Sequence, residues 1–282
     1  MKHHALSRFP AVALAAGLTL LSTADKASGF VVLTFDDPIQ LDPAFPSAQN
    51  SPAPIWRADR YPAAIFESAI LGGENVLEFG VSQNDREGAR GSFNGPFYNF
   101  QGYKLTMPGR NSFISADFYI PSTRPSDLGT VNVGLWGSGS VGGTITAYPI
   151  VAYIADASID AGFYYWEGAW EELVLGTFED AFYTLRIELD EPNDQFLLSV
   201  TNDQGILVAD ATSAAGGAEL IGELFLNLGN TFDQLVAPDD PDEPQTFSVF
   251  VDNVSYTPEP SRALLISLAL VPVLLRRRRA GA

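Results

Sequence analysis

The strongest constraint on the fold is a series of short strand-like runs that are separated by Gly, Asn and Asp, with no long helical pattern between them. In residues 182–189, apolar and more polar side chains alternate, which is typical of a strand with one buried face. Outside the two termini, helix is expected only as one or two turns at residues 63–69. The series favours an all-β fold, a two-sheet antiparallel β-sandwich. Its twelve runs are residues 30–35, 76–81, 113–120, 130–136, 148–154, 162–166, 172–175, 182–189, 195–201, 206–209, 224–228 and 246–256.

The first residues of the chain carry an export pattern. Lys2 and Arg8 precede an apolar run at residues 11–21, which is followed by small residues. This order is typical of a secretory signal peptide rather than of a membrane span. Cleavage is expected after Ala24, with Gly29 as a second choice. The signal peptide is therefore assigned to residues 1–24 and the β-sandwich domain to residues 30–257.

The last twenty-five residues carry a second targeting pattern. It consists of Pro258, Glu259 and Pro260, an apolar run at residues 263–275, and the arginines Arg276, Arg277, Arg278 and Arg279. As a helix, the apolar run spans about 20 Å, which is short against a hydrocarbon core of about 30 Å. One interpretation is therefore a weak tail anchor whose arginines stay on the cytoplasmic side.

The alternative interpretation of these residues is a sorting signal. The order of Pro-Glu-Pro, short apolar helix and terminal arginine cluster resembles the PEP-CTERM signal of Gram-negative bacteria, although Thr257 precedes the motif where Val is commoner. The resemblance implies that an exosortase, an integral membrane cysteine peptidase, recognises the Pro-Glu-Pro motif and removes the helix, so that residues 258–282 contact the membrane transiently. It also implies export machinery as a partner, an intermediate tethered to the inner membrane, and a final place at the outer surface or in the extracellular matrix.

Composition narrows the possible chemistry of the exported part. Between Phe30 and Thr257 there are eight Lys and Arg against thirty-two Asp and Glu, a net charge of −24. Such a surface repels nucleic acid and attracts divalent cations and basic partners, although the acidity could equally serve solubility alone. The only histidines are His3 and His4, and there is no cysteine. Catalysis by Ser-His-Asp or Cys-His groups and the usual zinc sites are therefore excluded.

Three parts of the chain resemble concanavalin A-like jelly rolls, the fold of laminin G-like and lectin-type domains. They are residues 34–37 in the first run, residues 250–255 in the last, and the pair of runs at residues 183–187 and 196–200. The resemblance implies that the paired runs form the central hairpin of the fold. It also implies that the first and last strands are neighbours, and that the function is lectin-like.

A structural calcium ion is predicted where the first and last strands meet. Asp36, Asp37 and Asp252 would supply carboxylate oxygens, with backbone carbonyls completing six to eight ligands. Carbohydrate-binding modules of similar fold hold a structural calcium ion in this way. The alternative is that these aspartates end strands and accept hydrogen bonds from turn amides.

A carbohydrate-binding face is predicted around residues 163–172, where aromatic side chains and carboxylates are interleaved. Pyranose rings need flat aromatic surface with hydrogen-bond acceptors at its edge. The candidates are Tyr164, Trp166 and Trp170. Because successive side chains of a strand point to opposite faces, the alternative is that these aromatic residues belong to the core and to a turn.

The combined prediction is an exported, non-catalytic protein of the cell surface or the exopolysaccharide matrix of a biofilm, structural or carbohydrate-binding, with extracellular polysaccharide as its partner. Two alternatives stay open, a carboxylate-dependent glycan-active enzyme and an acidic protein–protein adhesin. Residues 188–191 are similar to the acidic pattern of jelly-roll glucanases, but Pro192 and Asn193 stand where a later glutamate is required. An exposed strand end is therefore the favoured interpretation of that segment.

Overall fold

The computed structural model describes residues 30–42, 55–58, 61–85, 97, 99–156, 160–232 and 244–258. The predicted signal peptide and the predicted sorting signal lie outside these ranges, except for Pro258, which is the last residue of a strand. In the described part there are sixteen strands: β1 Val31–Leu33, β2 Arg57–Ala58, β3 Ile65–Leu71, β4 Glu74–Ser82, β5 Phe100–Thr106, β6 Asn111–Tyr119, β7 Val131–Val141, β8 Thr144–Ala147, β9 Ile150–Ala155, β10 Gly162–Trp166, β11 Trp170–Leu175, β12 Phe182–Asp190, β13 Gln195–Asn202, β14 Leu207–Ala214, β15 Leu220–Gly229 and β16 Thr246–Pro258.

The strands form two antiparallel sheets, which confirms the predicted all-β, two-sheet architecture. The first sheet has the order β14-β13-β12-β6-β16-β4-β3, and β1 also pairs with β16. The second has the order β11-β10-β9-β7-β15-β5-β2, and β8 also pairs with β7. The first and last strands are therefore neighbours, as expected, and β12 pairs with β13 as the predicted hairpin.

Alternation along the strands places the main core between the two sheets. In β12, Leu185 and Ile187 are fully buried, and in β7 Val133 and Leu135 are buried in the same core. Burying one such side chain contributes roughly 1.5–3 kcal/mol relative to leaving it exposed. The intervening residues of β7 and β12 lie on the outer faces of the sheets, and these outer faces hold the candidate functional residues.

The prediction of a helix at residues 63–69 is wrong, because Ile65–Leu71 forms strand β3. Two glycines, Gly72 and Gly73, have φ angles of +64° and +97° and form a two-residue turn that folds β3 back against β4. Pairing with β4 therefore overrides the weak local helical preference. The described ranges contain helix only as two 3₁₀ turns, Gln83–Asp85 and Glu191–Asn193, and neither is long and apolar enough to cross a membrane.

Candidate functional site

A row of five side chains, four of them aromatic, crosses the outer face of the second sheet, perpendicular to its strands. The strand register places Phe225 of β15 opposite Trp136 of β7, which is in turn opposite Ile150 of β9. At the edge of the sheet, Trp166 of β10 lies opposite Trp170 of β11. These residues form a hydrophobic cluster that is separate from the core between the sheets. We call the five residues the aromatic row.

Phe97 lies against the aromatic row and joins its buried and half-buried parts. Its ring centroid is 5.0 Å from that of Trp136, 4.7 Å from that of Trp166 and 5.9 Å from that of Trp170, and all three contacts are edge-to-face. The two edge tryptophans are also edge-to-face, at 5.4 Å. Trp166 and Trp170 are half-buried, so part of each indole is available to a ligand. Phe97 itself has a φ angle of +61°, which is strained for a bulky residue.

Tyr164 lies on the same outer face but is 7% exposed. Its hydroxyl group donates a hydrogen bond to the carbonyl oxygen of Asp160 at 2.7 Å. Burial raises the pKa of Tyr164, and the negative charges of Glu172 and Asp160 raise it further. The three predicted aromatic residues therefore lie on one face, with Trp166 and Trp170 at its surface and Tyr164 beneath.

A group of charged side chains lies at the other end of the aromatic row. Lys104 of β5 is opposite Phe225, and Arg57 of β2 is opposite Lys104. Both cations pair with Glu223: Arg57 through Nη2 to Oε1, and Lys104 through Nζ to Oε2 at 3.4 Å. Arg57 is buried, but Lys104 and Glu223 are partly exposed. The outer face thus combines apolar rings with two charged side chains that can hydrogen-bond to a polar ligand.

The predicted calcium ligands lie near a bulge in β16. This strand has one extra residue relative to β6 between Asp252 and Ser255. Burial raises the pKa of Asp252, and the charges of Asp117, Asp36 and Glu74 raise it further, although a backbone hydrogen bond from Asn253 lowers it. The structure therefore places Asp36 and Asp252 within electrostatic reach of each other. Asp37 lies beside Asp36 on the edge of a surface cavity of about 390 Å³ that Phe66 and Glu67 also line.

Side-chain amides donate hydrogen bonds to the carboxylate oxygens at this bulge. Asn75 donates to Asp36 at 2.8 Å, and Asn253 donates to Asp117 at 2.9 Å and to Asp252 at 3.2 Å. The hydrogen bond from Asn75 lowers the pKa of Asp36. Within the described ranges, no group of three or more His, Cys, Asp or Glu side chains could hold a metal ion.

The acidic segment at residues 188–191 lies on a different surface from the aromatic row. Glu188 accepts two hydrogen bonds from Arg186, the shorter at 2.7 Å, and both side chains are about 40% exposed. Asp190 accepts hydrogen bonds from Asn193 at 2.7 Å and Gln195 at 3.1 Å, and these lower its pKa. Because Leu189 points into the core, these polar side chains lie on the outer face of the first sheet.

Three members of this surface are not among the site residues predicted from the sequence: Phe97, Trp136 and Phe225. Trp136 and Phe225 follow the core residues Leu135 and Leu224 by one position, so strand alternation alone could have placed them outside the core. Nothing local, however, indicates that they lie beside Trp166. That contact depends on the order of strands in the second sheet.

No protein-family model and no curated protein sequence matches the chain. Among solved structures, a Bacillus licheniformis β-glucanase is 12% identical with a TM-score of 0.44, and the match covers 81% of this chain and 98% of that one. The alginate lyase Aly36B is 15% identical with a TM-score of 0.40, over 67% and 82% of the two chains.

Two further solved structures are similar at the same distant level. The carbohydrate-binding module CBM66 from Bacillus subtilis is 14% identical with a TM-score of 0.35, over 72% and 94%. A sialidase is 12% identical with a TM-score of 0.42, and 72% of this chain spans only 17% of that one. Likeness at this level supports neither a ligand nor an activity for this chain. The fold and surface themselves define an all-β sandwich with an aromatic outer face.

Proposed function

We propose that this is an exported, non-catalytic protein of the cell surface or the exopolysaccharide matrix, processed by an exosortase, which contacts polysaccharide through the aromatic row. The observation that carries the binding proposal is the position of Trp166 and Trp170, half-buried on an outer face and away from the main core. Aromatic residues that lie at the surface and outside the main core are typical of interaction sites.

The geometry of the aromatic row suits a sugar chain. Trp136, Ile150 and Phe225 are buried, so the apolar surface that the row offers to a ligand is that of the half-buried Trp166 and Trp170. These two lie opposite each other on β10 and β11, and neighbouring strands are about 4.8 Å apart. Indole rings pack against the CH groups of a pyranose, and the charged groups around Glu223 can bond to its hydroxyls. A polysaccharide whose sugar rings pack against Trp166 and Trp170 is therefore the ligand class that fits this face best.

The residue at which β16 ends supports the sorting proposal. Pro258, the first residue of the Pro-Glu-Pro motif, is the last residue of β16 and pairs with Asn111. Five residue steps separate it from Ala263, where the apolar run begins, a span of about 17 Å at full extension. A tethered intermediate would thus hold the sandwich close to the membrane surface. Mass spectrometry of the surface-exposed protein is expected to find a chain that ends near residues 258–260, and an intact arginine cluster would contradict processing.

The binding proposal is tested by retention of the purified protein on glucan and acidic-polysaccharide resins. We expect retention of the wild type on one of the resins, and at least a tenfold loss of affinity in Trp166→Ala and Trp170→Ala. Phe250→Ala is the matched control, because Phe250 contacts Tyr119 on the outer face of the first sheet. Equal loss in all three variants, or retention unchanged in both tryptophan variants, would contradict the proposal.

The non-catalytic part of the proposal is tested separately from binding. Incubation of the wild type with the retained polysaccharide is expected to release no reducing ends and no unsaturated products. Glu223 is the carboxylate beside Phe225 on the aromatic face, so release by the wild type that disappears in Glu223→Gln would favour the enzyme alternative instead.

A further inference from the structure

A buried polar cluster lies at one end of the sandwich, on the inner side of the sheet whose outer face carries the aromatic row. Gln83 follows β4, Gln101 lies near the start of β5, and Asn230 follows β15; they are 0%, 0% and 1% exposed. Gln101 is opposite Leu228 in the register, and Asn230 lies two residues beyond Leu228. Since Leu228 belongs to the main core, Gln101 and Asn230 lie on the inner side of the second sheet.

The single segment 82–85 bonds to Gln101 and Asn230 of this cluster and adds a third side chain to it, that of Asp127. Gln101 donates from Nε2 to the carbonyl oxygen of Asp85 at 2.9 Å. Asn230 donates from Nδ2 to the carbonyl oxygen of Ser82, also at 2.9 Å. Asp127 accepts a hydrogen bond from Nε2 of Gln83 at 2.6 Å. A segment of four residues therefore brings together side chains from three separate parts of the chain.

These hydrogen bonds fix which way the two amides point. A backbone carbonyl can only accept a hydrogen bond, so the nitrogen of each amide must face it and the oxygen must face away. The oxygens in question are Oε1 of Gln101 and Oδ1 of Asn230, and both are buried without a hydrogen-bond partner. Oδ1 of Asp127 is buried without a partner as well. Leaving a buried acceptor unpaired is unfavourable, and all three oxygens belong to side chains that bond to the same four residues, 82–85. This arrangement points to a ligand that the three oxygens share.

We propose that these three oxygens bind a hard metal cation, with calcium as the ion that fits best. Calcium takes carboxylate, amide and carbonyl oxygens, and the cluster offers one carboxylate and two side-chain amide oxygens. A water molecule has only two protons for three acceptors and no charge to offset Asp127, for which no ion pair occurs within the described part. A single carboxylate ligand suits a weak site, with a dissociation constant on the order of 10⁻⁴–10⁻³ M.

This site is distinct from the one predicted at the β16 bulge. Ser82, which holds Asn230, pairs with Thr246 at the start of β16. Asp252 is six residues further along the same strand, which is about 20 Å at 3.3 Å per residue. The two acidic positions can therefore be removed independently by Asp127→Asn and Asp252→Asn.

The test measures the Tm of the purified, EDTA-treated protein as free calcium is raised to about 10 mM at constant ionic strength. In the Asp252→Asn protein, which lacks the bulge carboxylate, we expect calcium to raise the Tm by about 5 °C. Adding Asp127→Asn is expected to abolish this rise, while its remaining oxygen still accepts the hydrogen bond of Gln83. Sodium and magnesium in place of calcium are expected to give smaller shifts.

Two outcomes would overturn the proposal. One is a calcium-dependent rise in Tm that survives when Asp127→Asn is added to the Asp252→Asn protein. The other is the absence of any rise in Tm in the Asp252→Asn protein, which would indicate buried water in place of a cation. If Asp127→Asn lowers the yield of folded protein, Gln101→Met is used instead. Methionine has about the length of glutamine but lacks the amide oxygen that would bind the cation. Calorimetric titration of that variant is expected to show at least tenfold weaker calcium binding, and unchanged binding would equally contradict the proposal.

Discussion

The side-chain amide of Asn253 donates a hydrogen bond to Oδ2 of Asp117 at 2.9 Å, across the bulge that follows Asp252. The same amide also donates to Asp252 at 3.2 Å, so it stands between two carboxylates of like charge. Asn253 has a φ angle of +47°, a conformation that asparagine tolerates better than most residues. The bulge thus places a neutral donor between the carboxylates at the point where a metal ion was predicted.

The bulge makes Asp252 a source of pH-dependent instability. Burial chiefly, and the nearby carboxylates in addition, raise the pKa of Asp252 above its usual range. The folded state therefore holds this proton to a higher pH than the unfolded state, and stability falls as the pH rises through the folded pKa. We expect Asp252→Asn to raise the Tm by a few degrees at pH 7 without calcium, and to have little effect near pH 3. A lower Tm at pH 7 would contradict this account.

The sequence-based calcium prediction at Asp36, Asp37 and Asp252 needs its own measurement. A calcium ion at the bulge would offset the repulsion among the carboxylates, so it is expected to raise the Tm even of the Asp127→Asn protein. Adding Asp252→Ala to that protein is expected to remove the remaining rise. Absence of any calcium effect in the Asp127→Asn protein would remove the bulge site from consideration.

The sequence predicted the strands better than it predicted the site, for a physical reason. All twelve expected runs form strands, because the alternation of apolar and polar residues that indicates a strand lies within each run and does not depend on distant parts of the chain. Of the strands that it missed, β5 contains Gly102, which breaks the apolar pattern, and β2 is only two residues long. The contact of Trp136 with Phe97 is not local at all, since it depends on strand order and on a backbone at positive φ.

Tyr153 gives a prediction in the alkaline range. It is fully buried, and its hydroxyl donates to Glu179 at 3.1 Å. Burial above all, then the charge of Glu179, raise the pKa of Tyr153 far above its usual value near 10. The unfolded chain releases this proton first, so stability is lost as the pH rises above about 10. We expect Tyr153→Phe to cost about 1 kcal/mol at pH 7 but to flatten the loss of Tm between pH 9 and 11.

The exposed residue Tyr148 supplies the control for that experiment. It is 52% exposed, so Tyr148→Phe is expected to leave the Tm at pH 7 within one degree of the wild type. If Tyr153→Phe left the alkaline loss of Tm as steep as it is in the wild type, the account based on burial would be wrong.

Gly134 is expected to be irreplaceable because β7 and β9 approach each other closely there. A Cβ atom at this position would lie 2.4 Å from the carbonyl oxygen of Val151 and 2.8 Å from the Cβ of Ala152. Backbone in the middle of a sheet cannot move aside, so Gly134→Ala is expected to cost about 3 kcal/mol or more. At Gly142 a Cβ would meet nothing within 4 Å, so Gly142→Ala should cost only about 1 kcal/mol, for its positive φ. Urea unfolding of both variants measures the difference, and equal costs would contradict the proposed close approach.

Phe97 allows backbone strain to be separated from ring packing on the aromatic face. Both Phe97→Ala and Phe97→Gly remove the contacts with Trp136, Trp166 and Trp170, but only glycine relieves the φ angle of +61°. We therefore expect the glycine variant to be more stable than the alanine variant by about 1 kcal/mol in urea unfolding. At Ile70, which is 74% exposed in β3, the same pair should show the opposite order, since glycine weakens an ordinary strand. If the glycine variant were the less stable one at both positions, Phe97 would store no backbone strain beside the aromatic row.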